Sequence, residues 1–302
     1  RVVSSIPGFE LYAKESGDED FIIVCEGGTD AFKGHPDLDH RAYDNWHKNL
    51  FTEKLKDKDV VSPEPYRIWE YYNQKCSLAQ GYDIAINNKG LRDLPKPRMF
   101  LSKEELLMGR QIVNQVKEKL KKEKVIIIQP FGRGINHVDN TFVDSTGRSI
   151  EFKDLKELIR KLQENDFAVI TMAEMGFDFT KDKFKDDVAM PESVQLRHWS
   201  AAIKFANHFI GCDSVGQHLS YIMDTPSTII LGPTYPINVS YPDCEFFNIV
   251  DLGQHDRVYD PIRIMPDETT SRHNENLMSM DKNIVEYVID RVLGKPIEED
   301  NE

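Results

Sequence analysis

Cysteine is scarce: the 302-residue chain has four, at positions 25, 76, 212 and 244. They have neither C-x-x-C spacing nor the density of a disulfide framework. That excludes a zinc ribbon or a disulfide-stapled scaffold and reads them as buried thiols of a reducing compartment. Long apolar runs are missing too. The longest, such as 21–25 and 125–128, fall far short of the about 20 residues that cross a bilayer. The sequence contains no G-x-S-x-G, H-E-x-x-H, GxxxxGK[ST] or GxGxxG, so common hydrolase, zinc-protease, P-loop and dinucleotide signatures do not arise. Positive charge is short: 38 Lys and Arg face 51 Asp and Glu, a formal net charge of −13. A field of that sign opposes a dominant contact with a nucleic-acid backbone, and nucleic acid is not an expected partner. Repeats and low-complexity segments are absent.

What is present is a chain long enough for two domains at about 150 residues each, with 40% apolar residues to fill their cores. Short β-branched runs alternate with longer helical periods, the pattern of βαβ units and a mostly parallel sheet. In the second half, strands are expected at 125–129, 167–171, 208–212 and 227–231. Helices are expected at 152–163, 193–207, 216–223 and 282–293, with a polar loop at 181–187. In the first half, 21–25 and 82–86 read as strands, and 103–122 is a long helix whose charged end leads into a connector. The spacing therefore predicts an N-terminal domain over 1–120 and a C-terminal domain over 121–302.

Three strand ends carry the candidate chemistry. After the 208–212 strand come Asp213, Ser214, Val215, Gly216 and His218. A tight turn into a helix aims free amides and the positive end of the helix dipole at the sheet's carboxyl edge, where a pyrophosphate would sit. The alternative is local: Ser214 or Asp213 caps the helix and His218 packs nearby. After the 125–129 strand, Gly132 and Gly134 flank Arg133; glycines admit a close ligand and the guanidinium fork suits phosphate oxygens, while a plain surface turn is the alternative. At the third, after the 167–171 strand, Glu174 is a candidate to hydrogen-bond a nucleoside, with a partly exposed loop glutamate as the alternative. A metal reading of Asp37-x-Asp39 between His35 and His40 competes with a simple acidic turn.

Residues 209–242 resemble glycosyltransferase family 9, the heptosyltransferase-like enzymes. The likeness rests on Phe-Ile-Gly-Cys-Asp-Ser-Val-Gly-Gln-His-Leu-Ser at 209–220, followed by Asp-Thr-Pro-Ser-Thr-Ile-Ile-Leu-Gly-Pro-Thr at 224–234. Tyr-Asp-Ile-Ala-Ile at 82–86 looks like the family's Tyr-Asp-x-x-Ile strand, and 125–134 looks like its first C-terminal-domain strand and phosphate loop. The resemblance implies an α/β GT-B fold, two Rossmann-like domains with parallel sheets facing a central cleft. It implies an inverting, metal-independent transfer of a sugar from a nucleotide-diphosphate donor resembling ADP-heptose to a glycan or other hydroxyl acceptor. No cofactor is expected, and the family's setting is cytoplasmic, peripheral at the inner membrane surface at most. By the same likeness Asp213 would contact the donor sugar, Ser214 and the following amides its phosphates, and His218 would support that site. Val215 stands where the family usually has glycine.

An inverting transfer also needs a carboxylate to deprotonate the acceptor. The family places that base in a loop between a first strand and the first helix; residues 1–15 look like that helix and 21–25 like the second strand, so the first strand and its loop would lie before Arg1 and the N-terminal domain reads as lacking that strand. Asp30 is the candidate substitute, against a plain turn aspartate. Lys89 and Arg92 are candidates for an anionic acceptor. A nucleotide-sugar epimerase of the same fold, and a non-catalytic sugar- or nucleotide-binding protein, are the competing functions.

Overall fold

The computed structural model describes residues 1–132, 134–138, 141–144, 146–173, 188–191, 194–258, 274 and 276–295. Unit 1 holds Arg1–Lys103 and Ile237–Val239, and unit 2 holds the remaining described residues.

Unit 2 is organised around β3 (Lys124–Gln129). Its Val125, Ile126, Ile127 and Ile128 are all at 0% exposure, and such a continuous apolar run suits a strand covered on both faces. Five parallel partners join it: β6 (Phe167–Thr171), β7 (Val188–Ala189), β8 (His208–Gly211), β9 (Ser227–Leu231) and β10 (Phe247–Asp251). The order across the sheet is β10-β9-β8-β3-β6-β7. From β3 the chain therefore winds outward first through β6 and β7, then returns to the other side for β8, β9 and β10. The reversal leaves a crevice at the carboxyl ends of β3 and β8, where open α/β sheets bind ligands. Helices α5 (Phe152–Glu164) and α9 (Lys282–Val292) share one core with the sheet, burying Leu155, Leu158, Leu162, Val285, Val288 and Ile289. A short antiparallel hairpin, β4 (Ile135–Val138) with β5 (Thr141–Asp144), lies between β3 and α5. The hairpin, β7 and β10 are elements that hydrophobic periodicity does not announce, each being short or only partly buried.

The long helix α4 (Lys103–Leu120) belongs with unit 2, so the division falls at its start and not near residue 120. Two contacts explain this. Glu105 and Arg197 form a buried two-point ion pair, Nε to Oε1 at 2.6 Å and Nη2 to Oε2 at 2.9 Å, between α4 and α6 (Leu196–Phe205). Four residues on, Gly109 lies so close to α6 that a Cβ there would stand 2.4 Å from the Ala201 backbone.

Unit 1 contains α1 (Val2–Glu15), the parallel pair β1 (Ile23–Cys25) and β2 (Ala42–Asp44), the short α2 (Trp69–Tyr72) and α3 (Leu78–Asn87). The expected strand at 82–86 is instead the middle of α3. Ser77 and Gln80 form a reciprocal capping box, Asn88 closes the helix in the left-handed region at φ 51°, and Leu78, Gly81 and Tyr82 share its buried face. The period there is 3.6 and not 2. Among the described residues the sheet of unit 1 is these two strands.

Gly109→Ala puts a methyl where no space exists and is expected to destabilise unit 2 by about 1–3 kcal/mol. Urea unfolding should show a lower midpoint at unchanged slope.

Candidate functional site

The crevice between the carboxyl ends of β3 and β8 is built by three chain segments. The first is the end of β3. The Gln129 carbonyl accepts from the Cys212 amide at 3.3 Å, and its side-chain Oε1 accepts from the Gly216 amide at 2.7 Å. Gln129 thus caps α7 (Val215–Ile222) from outside the helix. Close contact is obligatory at Gly216, where a Cβ would stand 2.4 Å from the Phe209 ring and 2.5 Å from Gln129 Oε1. The glycine that the sequence likeness places one position late is therefore the one this turn requires.

The second segment is the turn after β8. Ser214 is fully extended, with φ −151° and ψ −177°, and its hydroxyl makes no capping bond. Asp213 is buried and turned sideways: Oδ1 accepts from Gln217 Nε2 at 3.2 Å and Oδ2 faces Arg148 Nη1 at 3.2 Å. Neither residue caps α7 through its side chain. The amides of Val215 and Gln217 meet no acceptor among the described residues, and the helix dipole adds partial positive charge there.

The third segment is the loop after β5, organised by Asp144. Its carboxylate accepts from the amides of Thr146, Arg148 and Ser149 at 2.7–3.0 Å and from the hydroxyls of Thr146 and Ser149 at 2.5 and 2.6 Å. Burial works against the charge, but these donors outweigh it and hold Asp144 below the usual carboxylate range. The Ser149 hydroxyl in turn accepts from the Gly132 amide at 3.1 Å. The loop delivers Arg148 to Asp213, and against the cost of burial that carboxylate holds the guanidinium more firmly protonated than usual. Arg148 Nε and Gln217 Oε1 are buried without a partner among the described residues. They are a donor and an acceptor without a bond beside one buried carboxylate.

His218 is also buried, its Nδ1 lying 2.8 Å from the Tyr241 hydroxyl and its ring edge-on to Tyr241, which stacks on Tyr221 at 3.6 Å. Burial pushes its pKa down to about 4, so it is neutral near pH 7 and offers hydrogen bonding but no charge. Of the phosphate-loop candidates, Gly132 has its amide bound to Ser149, Gly134 opens the turn into β4 with its carbonyl accepting from Asn136, and Arg133 lies outside the described residues, as does Glu174.

In unit 1, Asp30 is exposed in a turn of 3-10 helix over Thr29–Ala31. Lys89 and Arg92 are both engaged within the unit: Lys89 binds Glu15 at 2.7 Å, and Arg92 binds Glu15 at 2.8 Å and grips Asp83 with Nε and Nη2 at 2.7 and 2.8 Å. The Asp37-x-Asp39 segment is local structure. Asp39 accepts from the Gly34 amide, and the buried His35 turns inward to Glu10 at 2.7 Å.

No protein-family model matches the chain, and no curated protein sequence matches it. Solved structures do. The crystal structure of glycosyl transferase family 9 from Veillonella parvula superposes with a TM-score of 0.69 over 97% of this chain and 94% of that one, at 12% identity. The fold is that of glycosyl transferase family 9. The iron-containing dodecameric glycosyltransferase TibC from enterotoxigenic E. coli gives a TM-score of 0.59 over 97% and 75% at 12% identity. E. coli heptosyltransferase WaaC with ADP gives 0.51 over 96% of both chains at 11% identity. At such identities the likeness to family 9 is one of fold, and the roles of individual residues rest on this chain's own geometry. Gln129, Arg148, Gln217 and Tyr241 are the site residues that sequence spacing misses. The only signal for the Arg148 loop is the run Asp-Ser-Thr-Gly-Arg-Ser at 144–149, a turn composition common on surfaces.

Two outcomes follow from this packing. Gly216→Ala is expected to lose both stability and ligand binding, whereas Gly132→Ala, where the nearest atom to a new Cβ is 4.0 Å away, should keep its melting temperature. Calorimetry of the pair separates them. Secondly, His218 and the buried His208, which pairs with the Thr228 hydroxyl at 2.9 Å, both have pKa values pushed down by burial from 6.5 to about 4. The unfolded chain binds these protons first, so stability should fall as pH drops from about 6.5 to about 4, with uptake of about two protons on unfolding near pH 5. Urea melts across pH read this, and His208→Gln should halve it.

Proposed function

We propose that the protein is a glycosyltransferase that holds a nucleotide-diphosphate sugar at the β3–β8 crevice of unit 2 and passes the sugar to a hydroxyl acceptor. The observation that carries this reading is the Arg148–Asp213–Gln217 group, with its open donor and acceptor, set beside the free amides of Val215 and Gln217. Asp213 suits sugar hydroxyls. The helix amides, the Ser214 hydroxyl and Arg148 suit the diphosphate, whose developing charge must be met as the bond to the anomeric carbon breaks. Arg133, Gly132, Gly134 and Glu174 complete the proposed donor site, and neutral His218 supports it from the second turn of α7.

An ADP-sugar of the heptose type is the proposed donor, in keeping with structural neighbours described with ADP and with ADP-D-beta-D-heptose. Transfer is proposed to invert the anomeric centre and to proceed without metal, since Arg148 and the helix terminus supply the positive charge. Asp30 is the proposed base. Because Lys89 and Arg92 already bind carboxylates, acceptor recognition is assigned to other residues of unit 1.

A thermal-shift panel of ADP-, UDP-, GDP- and CDP-sugars tests the donor reading. A bound ligand at a hundredfold excess over Kd adds about 2.7 kcal/mol to the folded state. The ADP-sugar should raise the melting temperature, Asp213→Ala and Arg148→Ala should each abolish the rise, and EDTA should leave it unchanged. No shift with any of the four would overturn the reading.

A further inference from the structure

The carboxyl edge of the β1–β2 pair carries a second cluster that the donor site does not use. The two strands are parallel and in register, Cys25 opposite Asp44, so the turn at 26–30 and the turn at 45–49 emerge side by side. They are tied together by the Thr29 hydroxyl donating to Asp44 Oδ2 at 3.0 Å and by the Asn45 amide donating to the Cys25 carbonyl at 2.8 Å. On this rim Trp46 is 68% exposed. Its indole lies beside Gly27, where a Cβ would stand 3.7 Å from Trp46 Cη2. The carboxylates of Glu26 and Asp30 are exposed on the same rim, and the chain neighbours of Trp46, Asn45 and His47, are exposed and polar.

We infer that this edge of unit 1 is a subsite for an uncharged glycan, with the Trp46 indole as its stacking face and Glu26 and Asp30 as acceptors for sugar hydroxyls. The chemistry selects the ligand. A large aromatic face left in water calls for an apolar partner, while the carboxylates beside it call for hydroxyl donors. A sugar ring satisfies both, presenting C–H bonds to the indole and hydroxyls to the rim. An acidic sugar is disfavoured by the rim carboxylates. As the place where the acceptor binds, the subsite rests on the transferase reading; as a glycan site it stands alone.

Intrinsic fluorescence titrations with maltotetraose, cellotetraose and mannotetraose test it, with sialyllactose as the acidic comparison. At least one neutral tetrasaccharide should give a saturable change that Trp46→Ala weakens tenfold or more, Trp46→Tyr largely retains, and Trp69→Ala leaves intact. Nucleotide-sugar thermal shifts of Trp46→Ala should match those of the parent, which separates failure here from failure of the donor site. Absence of saturable binding, equal binding by Trp46→Ala, preference for sialyllactose, or self-association that Trp46→Ala abolishes in the absence of glycan binding would overturn the inference.

Discussion

The close approach of α7 to the ends of β3 and β8 governs the candidate donor site. With no side chain at residue 216, the first turn of the helix rests on the Phe209 ring and takes the Gln129 carboxamide as its cap. That single contact joins two neighbouring strands and the helix that follows the second. In the 213–214 turn beside it, Asp213 is directed toward Arg148 of the 144–149 loop and Ser214 makes no side-chain cap on the helix. The amides that remain open are a result of packing, not of any polar residue placed to leave them so.

Charge follows from the same arrangement. In a chain of net charge −13, an anionic ligand depends on local positive potential. The described residues supply it sparingly: His218 is neutral, Arg148 is matched by Asp213, and the helix terminus contributes dipole rather than full charge. The crevice is therefore nearly balanced, suited to a ligand that presents hydroxyls to one part and phosphate oxygens to another.

The second half of the chain was largely legible before the structure. Its strands are short, buried on both faces and rich in β-branched residues, so periodicity and composition agree on 125–129, 167–171 and 227–231, and the turn at 213 follows directly from where a strand stops and a helix starts. The first half was not legible to the same degree. Tyr82-Asp-Ile-Ala-Ile carries strand-forming residues, but its conformation is set outside the segment, by Ser77 and Gln80 before it and Asn88 after it. Long-range partners are hidden for a similar reason. Nothing near residue 148 in the sequence announces a carboxylate 65 positions away, and nothing at residue 105 announces Arg197, so α4 reads as the last helix of the first domain when it is part of the second unit. Lys89 and Arg92 show another side of this: two cations that stand alone in sequence are paired with Glu15 and Asp83 in space.

The thiol of Cys212, beside Asp213, is completely buried, and that burial raises its pKa far above neutrality; Cys25 and Cys76 are raised in the same way, to about 11 and about 12. Because oxidation proceeds through the thiolate, burial and the raised pKa slow reaction at these three residues in the folded chain. Their burial belongs to the packing of the core, so a scarcity first read as a sign of compartment is equally a property of that packing.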